Sequence, residues 1–286
     1  MSVVPEDELM LEGMPTPLYP ASPARLATYE DCPRRYRMAY LDKPTPPRGP
    51  PWARTSLGAS VHTALARWWA QPAARRTPET GGRLLAEAWL PDGFRDAEQS
   101  ARVRERTREQ LEHYLDGVDP YDVPLAVERT VWVRTGTAAL WGRVDRVDER
   151  GGEAVVVDYK TGRSVLTVED ARTSLALAVY AAATARTLHR PCTRVELHHL
   201  PTGEVLAWDH DAGSLSAHLD HADALATELA RLDDEHRSGM SPQRADEAFP
   251  ARVAPRCGVC DFRSVCPPGR SVPQRPPWTG IDEAGG

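Results

Sequence analysis

Two Val-rich segments joined by a tight turn constrain this chain more than any other feature. Gly142-Arg143-Val144-Asp145 lies in the first and Val155-Val156-Val157-Asp158-Tyr159-Lys160-Thr161-Gly162 forms the second. Between them, Glu149-Arg150-Gly151-Gly152 has the composition of a hairpin turn, so the two read as adjacent strands. That pairing delivers two carboxylates, Asp145 and Asp158, and the Lys160 ammonium to one spot. Carboxylates hold hard divalent cations through oxygen. Such a cation activates water and neutralises charge on a phosphate. The set is what metal-assisted hydrolysis of a phosphodiester needs.

Lysine usage sharpens the point. Only Lys43 and Lys160 occur among 35 basic residues. Where any positive charge suffices the chain uses Arg, but not at position 160. Lysine is a compact charge with rotatable donors and fits beside a metal-bound water, which the wide guanidinium does not.

Around this pair the pattern alternates between helix and strand. Ser22-Pro23 is a helix start, and the helix is expected to run to about residue 41 with a kink or break at Pro33. The Pro-rich stretch 43–54 reads as a linker. Helices are expected over 55–70, with Leu57, Val61 and Leu65 on one face, and near 79–90 and 97–117. Strands follow at 123–133, 138–148 and 153–160. A helix over 169–188 comes next, then a hairpin of 193–200 and 204–209 around Pro201-Thr202-Gly203, then a helix near 213–237. From 241 the chain reads as irregular. This order predicts an α/β fold, a mixed sheet of four or five strands flanked by helices. The expected organisation is a disordered segment 1–20, a domain over 21–240, a cysteine-rich segment 241–268 and a disordered tail 269–286.

The net charge is −6, so attraction to a polyanion must come from local patches. Arg25, Arg34, Arg35, Arg37, Lys43 and Arg48 make 21–50 basic. Arg102, Arg104, Arg106 and Arg108 alternate with Glu105, Glu109 and Glu112 and read as an ion-paired helix face. Trp68 and Trp69 read as core, Cys192 as a core cysteine, and His198, His199 and His210 as surface residues. No apolar run is long enough to span a membrane. The N-terminus is acidic without an apolar stretch, and the expected location is the cytoplasm. No phosphate-cradling Gly-x-x-x-x-Gly-Lys motif is present, so a motor would have to be a partner chain.

Three of five cysteines form Cys257-x2-Cys260-x5-Cys266. Two thiolates two residues apart chelate one metal or cluster from a tight turn. The odd count and a reducing compartment disfavour disulfides. The best candidate for a fourth ligand is Cys32. Spacing leaves zinc and iron–sulfur both open.

The ordered set Cys32-Pro33-Arg34-Arg35-Tyr36, Gly58-Ala59-Ser60-Val61-His62, Gly142-Arg143-Val144-Asp145, Asp158-Tyr159-Lys160-Thr161-Gly162 and the late cysteines resembles the RecB-type nucleases of the PD-(D/E)XK superfamily. It is most similar to the iron–sulfur branch that includes the AddB nuclease domain, Cas4 and stand-alone RecB-family exonucleases. The resemblance spans about residues 22 to 268. It implies a restriction-endonuclease-like core with an Fe–S subdomain joining the N- and C-terminal segments. It implies Mg2+ or Mn2+ held by His62, Asp145, Asp158 and the Tyr159 carbonyl, with Lys160 orienting the attacking water. Cys32, Cys257, Cys260 and Cys266 would hold a 4Fe–4S cluster, with Zn2+ the alternative. Glu128 would stand behind the ligands and Tyr180 would face the substrate. The family's Gln four residues before that Tyr is here Ala176, which puts substrate contact by this helix in doubt.

The implied activity is that of a metal-dependent DNA exonuclease acting on single-stranded ends in repair or recombination, with DNA and a helicase or repair protein as partners. The alternatives are a Cas4-type CRISPR spacer-processing nuclease and a non-catalytic DNA-binding module with a structural metal site.

Overall fold

Apolar segments with period two build the centre of this protein. The computed structural model describes residues 18–281. Residues 1–17 and 282–286, which include most of the N-terminal segment expected to be disordered, lie outside the described residues. The first described element is a short strand, β1 (Tyr19–Ala21), at the end of that segment. Two helices follow, α1 (Pro23–Asp31) and α2 (Pro33–Tyr40). Ser22 caps α1 by accepting from the Arg25 N–H at 3.2 Å. The kink or break expected at Pro33 is a break. Pro33 has no N–H and starts α2, leaving Cys32 extended between the helices (φ −162, ψ 106).

Helices α3 (Ala53–Trp69), α4 (Pro78–Ala88) and α5 (Ala97–Asp116) come next. On α3 the buried side chains Leu57, Val61, Ala64, Leu65 and Trp68 recur at helical spacing. The second Arg cluster does form an ion-paired face, with Arg102–Glu98 at 2.7 Å and Arg108–Glu105 at 2.6 Å.

Strands β2 (Ala126–Arg134), β3 (Ala138–Arg150) and β4 (Glu153–Lys160) then form the centre of the sheet. The expected single helix over 169–188 is two, α6 (Val168–Arg172) and α7 (Leu175–Leu188), because Ser174 caps a new start by accepting from the Leu177 N–H. Strands β5 (Arg194–His199) and β6 (Glu204–Asp209) pair as a hairpin, and α8 (Ala212–Arg237) follows. The stretch expected to be irregular from 241 opens with α9 (Pro242–Ala248). Its Ser241-Pro242 start repeats the Ser22-Pro23 signal and was readable. The chain then continues in short 3-10 turns carrying Cys257, Cys260 and Cys266.

The sheet has six strands in the order β1-β3-β4-β5-β6, with β2 on the other edge of β3. β1 runs parallel to the start of β3, and β4 runs antiparallel to its end. Both occupy one edge of β3. They pair with residues 138–140 and 146–150 respectively, so the stretch 141–145 lies in the fork between them. β4 and β5 are parallel, which makes the sheet mixed.

One face is covered by α3, α4 and α5 through Leu65, Trp68, Leu85 and Leu111 against Val157 and Tyr159. The other is covered by α7 through Leu177 and Ala181 against Val144, Val156 and Leu197. Helices α1, α2 and α8 pack Leu26, Tyr36, Ala226 and Leu229 around Leu140. Phe249, after α9, is fully buried there. Trp68, Trp69 and Cys192 are core, as expected. The tail expected to be disordered places Ile281 in the core at 5% exposure, with its carbonyl accepting from Arg106.

His198, His199 and His210 correct the surface reading, since all three are buried. On β5, His198 and Glu196 share one face of the strand. Helix α5 covers that face, and the polar residues there form a network. His198 Nε2 donates to Glu196 at 3.0 Å. Its Nδ1 lies 2.8 Å from the Tyr114 hydroxyl. Arg146 donates to the Tyr159 hydroxyl at 3.0 Å and to Asp148 at 2.9 Å. Burial keeps the His198 pKa below its ordinary value despite Glu196, so neutral Nδ1 accepts from Tyr114. His199 donates from Nε2 to the Gly162 carbonyl at 2.7 Å, fixing the loop after β4.

Candidate active site

The fork in the sheet gathers the predicted residues. Asp145 sits on β3 at the mouth of the fork. The strand next to it cannot complete its ladder there, and the side chain takes over: Asp145 Oδ2 accepts from the Tyr159 N–H at 2.8 Å. Its other oxygen is 3.1 Å from His62 Nδ1 on α3. Asp158 and Lys160 are two apart on β4 and share a face, with Lys160 Nζ 2.6 Å from Asp158 Oδ2. Asp145, Asp158 and Lys160 therefore do converge on adjacent strands.

Glu128 joins them through an unusual backbone. In the register of β2 with β3, Val127 pairs with Arg146 and Arg129 with Val144, which sets Glu128 opposite Asp145. Glu128 has φ +50, a left-handed conformation that costs a non-glycine residue about 1–3 kcal/mol. At this point the ribbon changes sides. Val131 and Val144 face the α7 layer, whereas Val127 and Arg146, two residues beyond Arg129 and Val144, face the α3 layer. The strained residue turns its carboxylate toward His62 and Asp145. One ligand atom each from His62, Glu128 and Asp145 lies within 4.8 Å of the others. This trio can hold a cation, and its donor set of one imidazole and two carboxylates suits a divalent metal. Sequence reasoning placed Glu128 behind the ligands; only the positive φ, invisible in sequence, brings it forward. Asp158 lies outside the trio. Its Oδ2 is buried and makes no hydrogen bond, the Lys160 ammonium being close but misaligned. That oxygen faces the Lys160 ammonium 2.6 Å away.

Electrostatics show a site short of positive charge. Burial pushes the Asp158 carboxyl up, Lys160 pulls it back and Asp145 pushes it up again. Burial also raises Glu128, partly countered by the Arg143 guanidinium 2.5 Å away. His62 would be lowered by burial, but the Asp145 hydrogen bond and the charges of Asp145, Asp158 and Glu128 hold it above its ordinary value. Each of these shifts favours the protonated form, the response of crowded, part-buried acidic groups to one another.

Tyr180 on α7 lies over the fork. A Cβ at Gly142 would come within 2.3 Å of its ring, so Gly142 is what lets the ring pack against β3. Burial first, then the charges of Asp158 and Asp145, push its hydroxyl up to about 12. Tyr159 turns its side chain away, into the network with Trp69 and Arg146, which anchors the backbone carrying Asp158 and Lys160.

A model of the PD-(D/E)XK nuclease superfamily matches residues 20–267. The chain belongs to the PD-(D/E)XK nuclease superfamily. Among solved structures, the chain is similar to a protein from Eubacterium rectale described as a candidate exonuclease, at 12% identity and TM-score 0.45, over 82% of this chain and 88% of that one. It is also similar to SSO0001, at 14% identity and TM-score 0.37, over 89% of each chain. No curated protein sequence matches.

The second predicted site is elsewhere. Cys32, Cys257, Cys260 and Cys266 line one cavity with Met38 and Phe262, and all are free thiols. Among the described residues no three of their sulfurs are close enough to grip a single ion. No helix among the described residues is long and apolar enough to cross a membrane.

Proposed function

We propose that this chain is a divalent-metal-dependent DNA nuclease of the RecB-like branch, an exonuclease acting on single-stranded ends. The observation that supports it most is the convergence of Asp145, Asp158 and Lys160 at the fork with His62 and Glu128 beside them. In this reading His62, Asp145, Asp158 and the Tyr159 carbonyl hold Mg2+ or Mn2+, and the geometry adds Glu128 to that set. The cation supplies Lewis acidity and a water of lowered pKa. Lys160 orients the attacking water and offsets charge growing on the phosphate. The Tyr159 N–H fixes the Asp145 carboxylate, so the pair is set before substrate arrives. Arg143 offsets the charge of Glu128. Tyr180, held over β3 by Gly142, bounds the site on the α7 side.

In this reading the four cysteines that line one cavity hold a 4Fe–4S cluster, with Zn2+ the alternative. They come from the α1–α2 break and from the C-terminal turns, and they share a cavity without touching. A 4Fe–4S cluster there would tie the two ends of the chain together across a very long loop, joining the segment 241–268 to the domain over 21–240. Iron, sulfide and zinc analysis of anaerobically purified protein tests this assignment; zinc without iron removes the cluster. Digestion of linear against circular single-stranded DNA with Mg2+ or Mn2+ tests the activity. Loss of the linear substrate alone marks an exonuclease. Cutting of circles marks an endonuclease and overturns the end-directed reading.

A further inference from the structure

Tyr159 belongs to the candidate site by its main chain alone. Its N–H holds Asp145 at 2.8 Å, while its side chain leaves on the face opposite Asp158 and Lys160. There the ring is buried in the layer under α3 and α5, at 4% exposure. Its hydroxyl accepts from the Trp69 indole N–H at 3.1 Å and from Arg146 at 3.0 Å. The rings of His62, Tyr114 and His198 stand edge-on around it, with centroids 6.0–6.1 Å away.

The place of Arg146 in the sheet gives this grip its importance. The β3–β4 ladder runs from Arg150–Glu153 to Arg146–Val157 and stops there. Past that rung the strands part, with Asp145 next on β3 and Asp158, Tyr159 and Lys160 next on β4. Two contacts tie Tyr159 to β3 across the gap, its N–H on Asp145 and its hydroxyl on Arg146. The first is made by a residue that the site itself needs. The second is made by one that the chemistry proposed above does not use.

Arg146 is held in one direction from every side. Its side chain is 5% exposed. The guanidinium lies 5.0 Å over the Trp69 ring and 5.6 Å over the Tyr159 ring. Asp148, two residues on along β3, lies 2.9 Å from its Nε and accepts from a terminal nitrogen at 2.9 Å. The Tyr114 hydroxyl, itself hydrogen-bonded with His198, is 3.4 Å away. A buried ion pair is often no more stabilising than apolar packing of the same volume. What a planar guanidinium adds is donors in fixed directions.

We propose that Arg146 is a positioning residue for the site at the fork: acting through the Tyr159 hydroxyl, it sets the main chain between Asp158 and Lys160 where β3 no longer pairs with β4. The proposal rests on the nuclease reading above and adds to it a residue that touches neither cation nor substrate. The tyrosine ring is the lever. A shift of its hydroxyl passes to the Tyr159 carbonyl and to the side chains on either side of it, and a displacement of about 1 Å at reacting groups costs about a hundredfold in rate.

The test compares Tyr159→Phe, which removes one oxygen and keeps the ring and the main chain, with Arg146→Met, Arg146→Lys and the double variant Arg146→Met/Tyr159→Phe. Leu85→Ala on α4, in the same core but outside this network, is the control. Mn2+ affinity of the metal-stripped protein is read from the free-ion signal by electron paramagnetic resonance. Tm in EDTA is measured alongside, with kcat and KM for bis(p-nitrophenyl) phosphate at saturating Mn2+. The expected result is Mn2+ binding weaker by about tenfold in Tyr159→Phe and in Arg146→Met, with kcat lowered and KM little changed. The double variant should lose no more than Arg146→Met, since the two act through one contact. Arg146→Lys should recover Tm but not Mn2+ affinity, because lysine keeps the charge and lacks the planar fork. Leu85→Ala should lower Tm and leave the affinity and kcat of the folded protein unchanged. Wild-type affinity and kcat in folded Tyr159→Phe would overturn the positioning role while leaving the nuclease reading intact. So would an equal loss in Leu85→Ala, or full recovery by Arg146→Lys. A wild type that binds Mn2+ with the dependence above but cleaves neither DNA nor the short diester would overturn the nuclease reading and keep the positioning role.

Discussion

Asp145 and Asp158 serve one site, yet removing them should move stability in opposite directions. Asp158 is part-buried with its Oδ2 2.6 Å from the Lys160 ammonium, and its pKa is raised by burial and by Asp145 beyond what Lys160 offsets. A raised carboxyl binds its proton more tightly in the folded state than in the unfolded one. Its stability contribution is therefore full below the ordinary carboxylate range and is lost as pH rises through the folded pKa. At neutral pH in EDTA, Asp158→Asn removes that burden. It gives up only the ion pair with Lys160, which is 44% exposed and so worth about 0–1 kcal/mol. A net gain of about 1 kcal/mol is expected. Asp145→Ala instead strands the part-buried Tyr159 N–H, a cost of about 1–3 kcal/mol. Relief of repulsion toward Asp158 and Glu128 returns part of it, leaving a loss of about 1–2 kcal/mol. For a chain of this length the unfolding entropy near Tm is about 0.6 kcal/mol/K. The expected Tm shifts are then about +2 °C for Asp158→Asn and about −2 to −3 °C for Asp145→Ala.

Differential scanning calorimetry in EDTA at pH 7.5 reads both. The advantage of Asp158→Asn should shrink as pH falls toward 4. Added Mg2+ or Mn2+ should raise the wild type by about 2.7 kcal/mol at a hundredfold excess over Kd and the variants by less, reversing the order. If both variants shift Tm the same way in EDTA, or if the order ignores the metal, the reasoning about charge at this site is wrong.

Three further outcomes follow from the same structure. Gly142→Ala sets a Cβ 2.3 Å from the Tyr180 ring and should cost about 1–3 kcal/mol and slow cleavage; the double variant Gly142→Ala/Tyr180→Ala should recover the stability, and additive losses by urea denaturation would contradict the contact. Burial would raise Glu196, but His198, Arg194 and Arg150 hold its pKa down to about 2. That stability is present above the ordinary Glu range and lost as pH falls toward 2, so Glu196→Gln should cost about 3 kcal/mol at pH 7 and converge with wild type in acid; a pH-independent difference would refute it. Cys32→Ser should release iron and lower Tm while leaving Mn2+-dependent hydrolysis of a short diester in the fraction that stays folded; retained iron and an unchanged Tm would remove Cys32 from the cluster.

Much of the site was legible because strands carry their chemistry at fixed spacing. The hairpin around Gly151-Gly152 and the Asp158-x-Lys160 pair placed two carboxylates and an ammonium together from pattern alone. What stayed hidden depended on backbone conformation or long-range cover. Glu128 enters the trio only because its φ is positive, and nothing in a nine-residue strand marks which residue will turn. His198 read as a surface residue because a polar side chain on a strand looks the same in sequence whether water or the Tyr114 side chain lies over it. Strand β1 is three residues long and gains its partner from residue 138 onward, too short to show a period. The start of α9 is a different case, since its Ser-Pro signal was present.

The most direct test is cleavage of end-labelled single-stranded and double-stranded DNA with Mg2+ and with Mn2+, comparing wild type with Lys160→Ala. Lys160 is half exposed on a strand end, so its loss should leave Tm within about 1 kcal/mol of wild type. Metal-dependent cleavage by wild type, reduced by two or more orders of magnitude in the folded variant, is the predicted result. Equal cleavage by both proteins would contradict the role given to this lysine and with it the site at the fork.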